Sequence, residues 1–414
     1  MDLLQEVINS TKAYYCLECG KCTAACPVAR RDTSFSPRLT VEMALLGRSQ
    51  ELLEGKLGWS CLTCRLCSER CPSDVRYSEF VRGVRTLVGH REHAVPCAHG
   101  SVMQTLMGIM TRPDLRQERL SWLSSDLQTA VDSGVLYFVG CLPYYEVLFC
   151  DLNVESVEIA RSAVRVLNAL GVSPAVLAVE RCCGHDLLWS GDVDGFRRLA
   201  MQNVALLNAS GAHTIITTCP ECYRTLAVDY AGCAGGLKAR VLHLSQYVME
   251  RIGDREQQAA RGKQQATGER EQQAARDKQQ ATGDQEADTG QIFHPLLQKQ
   301  KVTYHDPCRL GRYMGVYEAP RCLLKALGYE VLEMAHSGPA ALCCGTSAWL
   351  NCNAVSKQIQ LDRLQEAVET GADLLVTACA KCQIHFKCAQ KDADTPQHLR
   401  IEVHDLATLL ARHL

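Results

Sequence analysis

The chain has no excess of charge of either sign. Its 414 residues carry 44 Lys and Arg against 46 Asp and Glu, a formal net charge of -2. It therefore offers no basic field for a polyphosphate backbone, which argues against nucleic acid as a partner. Long apolar runs are missing too, and none approaches the roughly 20 residues that cross a bilayer. The opening MDLLQEVINSTKAYYCLEC lacks a basic n-region and a small-residue cleavage site. The expectation is a cytoplasmic chain, with any membrane association supplied by a partner subunit. No G-x-G-x-x-G fingerprint precedes a helix, so neither flavin nor NAD is expected here and two-electron carriers must dock from another chain. A chain of this length holds two or three domains.

Cysteine, by contrast, is abundant, with 24 residues. In a long chain without an export signal, C-x-x-C clusters point to thiolates held by metal rather than to disulfides. Cys16, Cys19, Cys22 and Cys26-Pro27 follow C-x2-C-x2-C-x3-C-P, and Cys61, Cys64, Cys67 and Cys71-Pro72 repeat it. The tight triplet curls backbone around one 4Fe-4S cubane, while the fourth cysteine, held away by its proline, reaches the neighbouring cluster. The expected ligand sets are Cys16, Cys19, Cys22 with Cys71, and Cys61, Cys64, Cys67 with Cys26. Zinc has no use for runs of four with a trailing proline. The segment between the runs, PRLTVEMALLGRSQELLEG, has helical spacing. The module resembles the all-helical ferredoxin domain found in the iron-sulfur components of respiratory dehydrogenases, and two cubanes close together make a one-electron wire.

From Val135 short β-branched runs alternate with helical patterns, and this happens twice. The first copy runs VLYFVG to Cys141, a helix over Val154 to Leu170, a strand over Ala175 to Val179, Cys182-Cys183-Gly184, and NASGAHTIITTCPEC. The second runs KVTYHDP to Cys308, a helix ending LLKALG, a strand over Tyr329 to Met334, Cys343-Cys344-Gly345, and VETGADLLVTACAKC. Each closes with a strand and a helix. Between them REQQAARGKQQATGE repeats as REQQAARDKQQATGD, a low-complexity linker belonging to neither core. The expected division is a helical ferredoxin-like domain at 1-96, a helical connector at 97-132, α/β domains with a Rossmann-like grammar at 133-252 and 296-414, and a linker at 253-295.

Five cysteines recur at corresponding points: Cys141, Cys182, Cys183, Cys219 and Cys222, then Cys308, Cys343, Cys344, Cys379 and Cys382. In an open α/β sheet these groups meet in the crevice beyond the carboxyl ends of the strands. A cubane needs four thiolates, so five in both copies mean either irons that are not equivalently bonded or one spare ligand. Spacing does not choose between the two.

C-x(n)-C-C-G-x(n)-C-x-x-C, present twice, is the signature of the CCG domain. Behind two ferredoxin motifs it makes the chain resemble the D subunit of heterodisulfide reductase, which is itself similar to a fusion of separate C and B subunits. The resemblance implies a noncubane 4Fe-4S cluster on each set of five cysteines, hence four clusters, and cleavage of a disulfide such as that of coenzymes M and B. It also implies cluster-mediated catalysis through Cys182, Cys183, Cys343 and Cys344. The chain is similar as well to the glycolate oxidase iron-sulfur subunit, through CLTCRLC and CPSDVRY, but there the C-x-x-C pairs are eroded. After Cys344 the chain runs GTSAWLNC where the methanogen protein has a Gly-rich continuation, which leaves the disulfide's identity open.

His185 and His305 lie next to ligands in sequence and are candidates for giving a proton to a product thiolate or for tuning a cluster. Arg309 and Arg312 are candidates for an anionic substrate, against a structural role in salt bridges. Cys97, Cys150, Cys233, Cys322, Cys352 and Cys388 are expected to be small apolar packing residues. The partners implied are a hydrogenase, a flavoprotein dehydrogenase or a membrane cytochrome b. The alternative is an electron-transfer subunit of a flavin-dependent 2-hydroxyacid dehydrogenase of the glycolate or lactate type, without disulfide chemistry.

Overall fold

The computed structural model describes residues 3-55, 57-89, 99-233, 235-255, 292-296 and 300-414. Cys97 and most of the expected linker, 256-291, lie outside the described residues. The N-terminal part is helical, with short pieces at Leu3–Ser10, Pro37–Leu45, Ser49–Glu54 and Tyr77–Val88. Pro37 at the first helical position, with Ser36 accepting the Leu39 N–H, starts the second of these. Cysteine loops fill the spaces between them.

Two parallel sheets follow. The first holds β1 (Val135–Tyr137), β2 (Thr214–Thr217) and β3 (Arg240–His243) in the order β1-β2-β3. The second holds β4 (Lys301–His305), β5 (Glu330–Leu332), β6 (Leu374–Thr377) and β7 (Glu402–Asp405) in the order β5-β4-β6-β7. Strands β1 and β2 are buried along their whole length, as helix-covered parallel strands must be. Three strands correspond pairwise between the copies: β1 with β4, β2 with β6, and β3 with β7.

Two sequence expectations fail locally. The strand over Ala175 to Val179 shrinks to one bridge, Leu136 with Ala175. Pro174 has no N–H to give, and beyond Ala175 the chain leaves the sheet. It delivers Glu180, whose carboxylate accepts the Val139 and Gly140 N–H groups at 3.1 and 2.8 Å. The helical connector holds only over Val102–Met110. Pro113 stops it, and residues 114-132 run irregularly over the first sheet, anchored by buried Trp122 and Leu127.

The N-terminal part shares one apolar core with a face of the second repeat, in which Phe35, Val41 and Phe80 join Leu375, Phe386 and Val403. It is tied to the first repeat by Arg85, fully buried on the helix Tyr77–Val88. Arg85 donates to the carbonyls of Gly58, Cys61 and Trp189 at 3.0, 2.6 and 2.8 Å. At Gly191, a Cβ would meet the Arg85 carbonyl at 2.6 Å, so only glycine fits this approach. The repeats themselves pack helix Ser156–Ala169 of the first against Leu406–Arg412 of the second.

Candidate metal centres

Both N-terminal cysteine runs take the same backbone path. Glu18 and Gly20 flank Cys19 with φ of 51° and 75°, and Thr63 and Arg65 flank Cys64 with φ of 45° and 68°. Two left-handed residues around the middle cysteine turn the loop inward, so that consecutive thiols face one centre. Cys16, Cys19, Cys22 and Cys71, together with Cys67, line one cavity, with Pro72 and Tyr77 in its wall. Cys26, Cys61, Cys64 and Cys67 line a second. Each cavity draws cysteines from both N-terminal runs. They differ in depth: Cys19 is exposed and Cys16, Cys22 and Cys71 half-buried, whereas Cys26, Cys61, Cys64 and Cys67 are all buried.

The five cysteines of each repeat also converge. In the first, Cys182 lies beside Cys141 and Cys183, and Cys222 beside Cys183 and Cys219. The Cys222 and Cys183 sulfurs stand 3.5 Å apart, a contact and not a bond. In the second, Cys343 lies beside Cys308 and Cys344, and Cys382 beside Cys344 and Cys379, whose Sγ accepts the Cys382 N–H at 3.5 Å. Turns position them: Cys219 and Cys379 cap the helices Pro220–Ala227 and Ala380–Lys391 directly after β2 and β6, and Gly184 and Gly345 turn left-handed after each Cys-Cys pair.

A contact invisible in the sequence joins two of these groups. Cys64 of the buried N-terminal group lies beside Cys343 of the second repeat, and this neighbour, with Arg312 nearby, lowers the Cys64 thiol to about 6.

All 23 described cysteines are free thiols. Burial holds Cys67 well above the usual thiol range and raises Cys61 to about 11. So many thiolates ionise together in a dry interior only when cations compensate them, which is what cluster irons supply. Buried donors also lack protein acceptors where cluster sulfides would sit. Arg312 Nη2 has none and lies in the field of Cys64, Cys308 and Cys343, and His385 Nε2 has none and lies near Cys344. The residues fit iron-sulfur clusters.

Both candidate histidines are buried and engaged. His185 Nδ1 pairs with Thr225 Oγ1 at 3.1 Å, and its Nε2 accepts from Arg309 Nε at 3.3 Å. Burial, with Arg309 and Lys381 beside it, holds its pKa well below the ordinary histidine value. With Nε2 accepting, the proton sits on Nδ1 and points at threonine. His305 Nδ1 accepts from Arg363 Nε at 3.1 Å. That leaves the Nε2 proton, and the ring lies within 4.8 Å of the Cys344 and Cys382 sulfurs.

Arg309 and Arg312 are both buried, with guanidinium groups committed largely to protein acceptors. Arg312 donates to the carbonyls of Cys64 at 2.7 Å and Ala341 at 2.6 Å. Arg309 donates to Thr63 O at 2.7 Å and Thr63 Oγ1 at 2.9 Å. The expected packing role of the spare cysteines is corrected for Cys150, Cys322 and Cys352, which are exposed. Cys322, for example, sits on the solvent side of Glu318–Ala326, whose Leu323 and Leu324 face inward.

Sequence reasoning missed the seam between the two sets of five cysteines. Lys381, within the C-x-x-C of the second repeat, is buried with Nζ 2.6 Å from Asp186 and 2.5 Å from Glu221, the latter within the C-x-x-C of the first. It lies 5.0 Å over the Trp349 ring. Glu221 and Lys381 occupy the same position in CPEC and CAKC, a charge complementarity the aligned copies display.

Residues 135-227 and 302-387 each match the cysteine-rich CCG domain, and residues 12-75 match a 4Fe-4S dicluster domain. With two matches to the CCG domain behind one to the 4Fe-4S dicluster domain, the chain is similar to the D subunits of heterodisulfide reductases. It is 28% identical to the D subunit of the dihydromethanophenazine:CoB–CoM heterodisulfide reductase of Methanosarcina barkeri, over 77% of this chain and 69% of that one. The B subunit of the fumarate reductase (CoM/CoB) of Methanothermobacter marburgensis is 25% identical, over 92% of this chain and 68% of its own. The EtfAB:quinone oxidoreductase of Syntrophomonas wolfei is 27% identical, over 61% of this chain and 31% of its own. By their names these relatives are redox enzymes or their subunits, and among the described residues no helix is long and apolar enough to cross a membrane.

Proposed function

We propose that the chain is the component of a redox complex that carries single electrons from a partner through two ferredoxin-type 4Fe-4S clusters to two CCG clusters, where a small disulfide is reductively cleaved. The observation that carries this is the closeness of Cys64 to Cys343, which brings the wire up to an intact five-cysteine set. Cys16, Cys19, Cys22 and Cys71 would hold the outer cubane, and Cys61, Cys64, Cys67 and Cys26 the inner one. Each set of five would hold one cluster of the noncubane kind, which supplies irons able to bind sulfur.

The chain's own residues define the rest. Lys381, held between Asp186 and Glu221, keeps a fixed positive charge at the seam where anionic thiolate products form. His305 presents an N–H to Cys344 and lowers the charge on that sulfur. Neither His185 nor His305 is free to travel as a proton carrier, so tuning is the role their geometry supports. The resemblance to heterodisulfide reductase favours a CoM–CoB-type heterodisulfide as substrate, fed by a hydrogenase, flavoprotein or membrane cytochrome.

The test is anaerobic iron and sulfide analysis with EPR, followed by addition of a thiol such as coenzyme M and a disulfide assay with chemical reductant. About sixteen irons, a thiol-dependent change in a CCG signal and disulfide turnover are expected. Full loading with no thiol response and no turnover would overturn the reading. The second reading, relay without disulfide chemistry, is favoured by the tied-up histidines and by the likeness to EtfAB:quinone oxidoreductase.

A further inference from the structure

One buried cation touches three of the four cysteine groups. Arg309 follows Cys308 of the second repeat. Its Nε donates to His185 Nε2, two residues past Cys183 of the first repeat, at 3.3 Å. Its Nη1 and Nη2 donate to Thr63 O and Oγ1, between Cys61 and Cys64 of the inner N-terminal group, at 2.7 and 2.9 Å. Trp189 and Tyr313 cover the guanidinium with ring centroids at 4.0 and 4.2 Å, shutting water out. Thr63 is a β-branched residue held at φ 45°, a conformation its own sterics disfavour. The fork of Arg309, together with Tyr313 Oη at 2.9 Å from the same carbonyl and Ser347 Oγ at 2.6 Å from the hydroxyl, fixes it there.

The inner loop therefore has two outlets. Cys64 meets Cys343 directly, which serves the second repeat. Thr63, Arg309 and His185 form an unbroken hydrogen-bonded bridge toward the first. We infer that Arg309 is a positioning residue that gives the first repeat its own electron route from the Cys61–Cys67 loop, in parallel with the Cys64 contact to the second. Hydrogen bonds carry electronic coupling better than an equal gap without them, and a planar fork spans both partners at once. This inference rests on the electron-delivery reading above. The step is a one-electron transfer: the inner position is oxidised by one electron, the first repeat is reduced by one, and no bond forms or breaks. The reductant is dithionite added from outside. Two electrons from one branch point then reach two separate sites without the first repeat waiting on the second.

The full chain, reconstituted anaerobically with iron and sulfide, is mixed with dithionite and freeze-quenched for EPR. Signals are assigned to each repeat by their loss in Cys182→Ala and Cys343→Ala. Arg309→Lys keeps the charge but removes the fork. It is expected to slow reduction of the first repeat roughly tenfold while the second changes by less than about twofold, with both midpoint potentials unmoved. Thr63→Val removes the hydroxyl that accepts from Arg309 and pairs with Ser347 but keeps the carbonyl, and slows the first repeat by about threefold, which keeps the test open should Arg309→Lys fail to hold its clusters. Equal slowing of both repeats, or no slowing of the first in the variant that loads, overturns the route. A chain that reduces both repeats at these rates and never cleaves a disulfide sinks the disulfide reading and leaves the route standing.

Discussion

The two repeats match cysteine for cysteine, yet they stand in different places. The second shares its apolar core with the N-terminal part and touches its inner cysteine group. The first reaches that part through Arg85 and Arg309. Their surroundings differ as well, with Arg309 and Arg312 in the field of Cys308 and carboxylates Asp186 and Glu221 beside the first set. Equal ligand sets in unequal fields are not equal redox sites, since charge and hydrogen bonds to sulfur set potential.

The sharpest way to break the comparison is to remove one ligand from each copy. Cys182→Ser and Cys343→Ser should each lower disulfide turnover by at least about a hundredfold, within the range seen when a catalytic group is lost. Only Cys343→Ser should also alter the EPR line shape of the inner N-terminal cluster, because only Cys343 touches Cys64. Identical spectra in the two variants would erase the distinction. Next in size is Lys381→Met, which strands two buried carboxylates and should cost about 3 to 5 kcal/mol in denaturant unfolding. Adding Asp186→Asn and Glu221→Gln should recover most of that loss.

A subtler comparison lies at the ends of β3 and β7, where His243 and Asp405 hold equivalent register positions opposite Thr217 and Thr377. Burial lowers His243 from 6.5 to about 4 and raises Asp405 from 3.8 to about 7. His243 stays neutral in the fold while the unfolded chain takes up a proton, so its contribution is lost as pH falls from 6.5 toward 4. Asp405 stays protonated in the fold while the unfolded chain ionises, so its contribution is lost as pH rises from 3.8 toward 7. His243→Gln should flatten the acid-side loss and Asp405→Asn the neutral-side loss in stability measured against pH. Slopes unchanged by either substitution would show that these positions do not govern it. The smallest effect is expected at Cys322: alkylation or Cys322→Ser should leave cluster content unchanged, as suits an exposed thiol outside every cysteine set, and lost iron would contradict this.

Much of this was legible because it is local. Cysteine spacing, the turn after each Cys-Cys pair and the alternation of strand and helix are written within short windows. Local chemistry also explains two errors, since Pro174 and Pro113 were present to warn that a strand and a helix would stop. What the sequence hid depends on docking. Arg85, Arg309 and Lys381 acquire meaning only when chain segments more than a hundred residues apart meet. Spacing likewise grouped Cys64 with its neighbours but could not show Cys343 across from it.

The pairing of Glu221 with Lys381 bears on how such a molecule can be taken apart. Set two copies of the first repeat face to face and carboxylate would oppose carboxylate; set two copies of the second and ammonium would oppose ammonium. Like charges at a buried contact penalise the wrong pairing. Neither half is its own complement, so a half released by cleavage between the repeats has the other half, and not its own twin, as its natural mate.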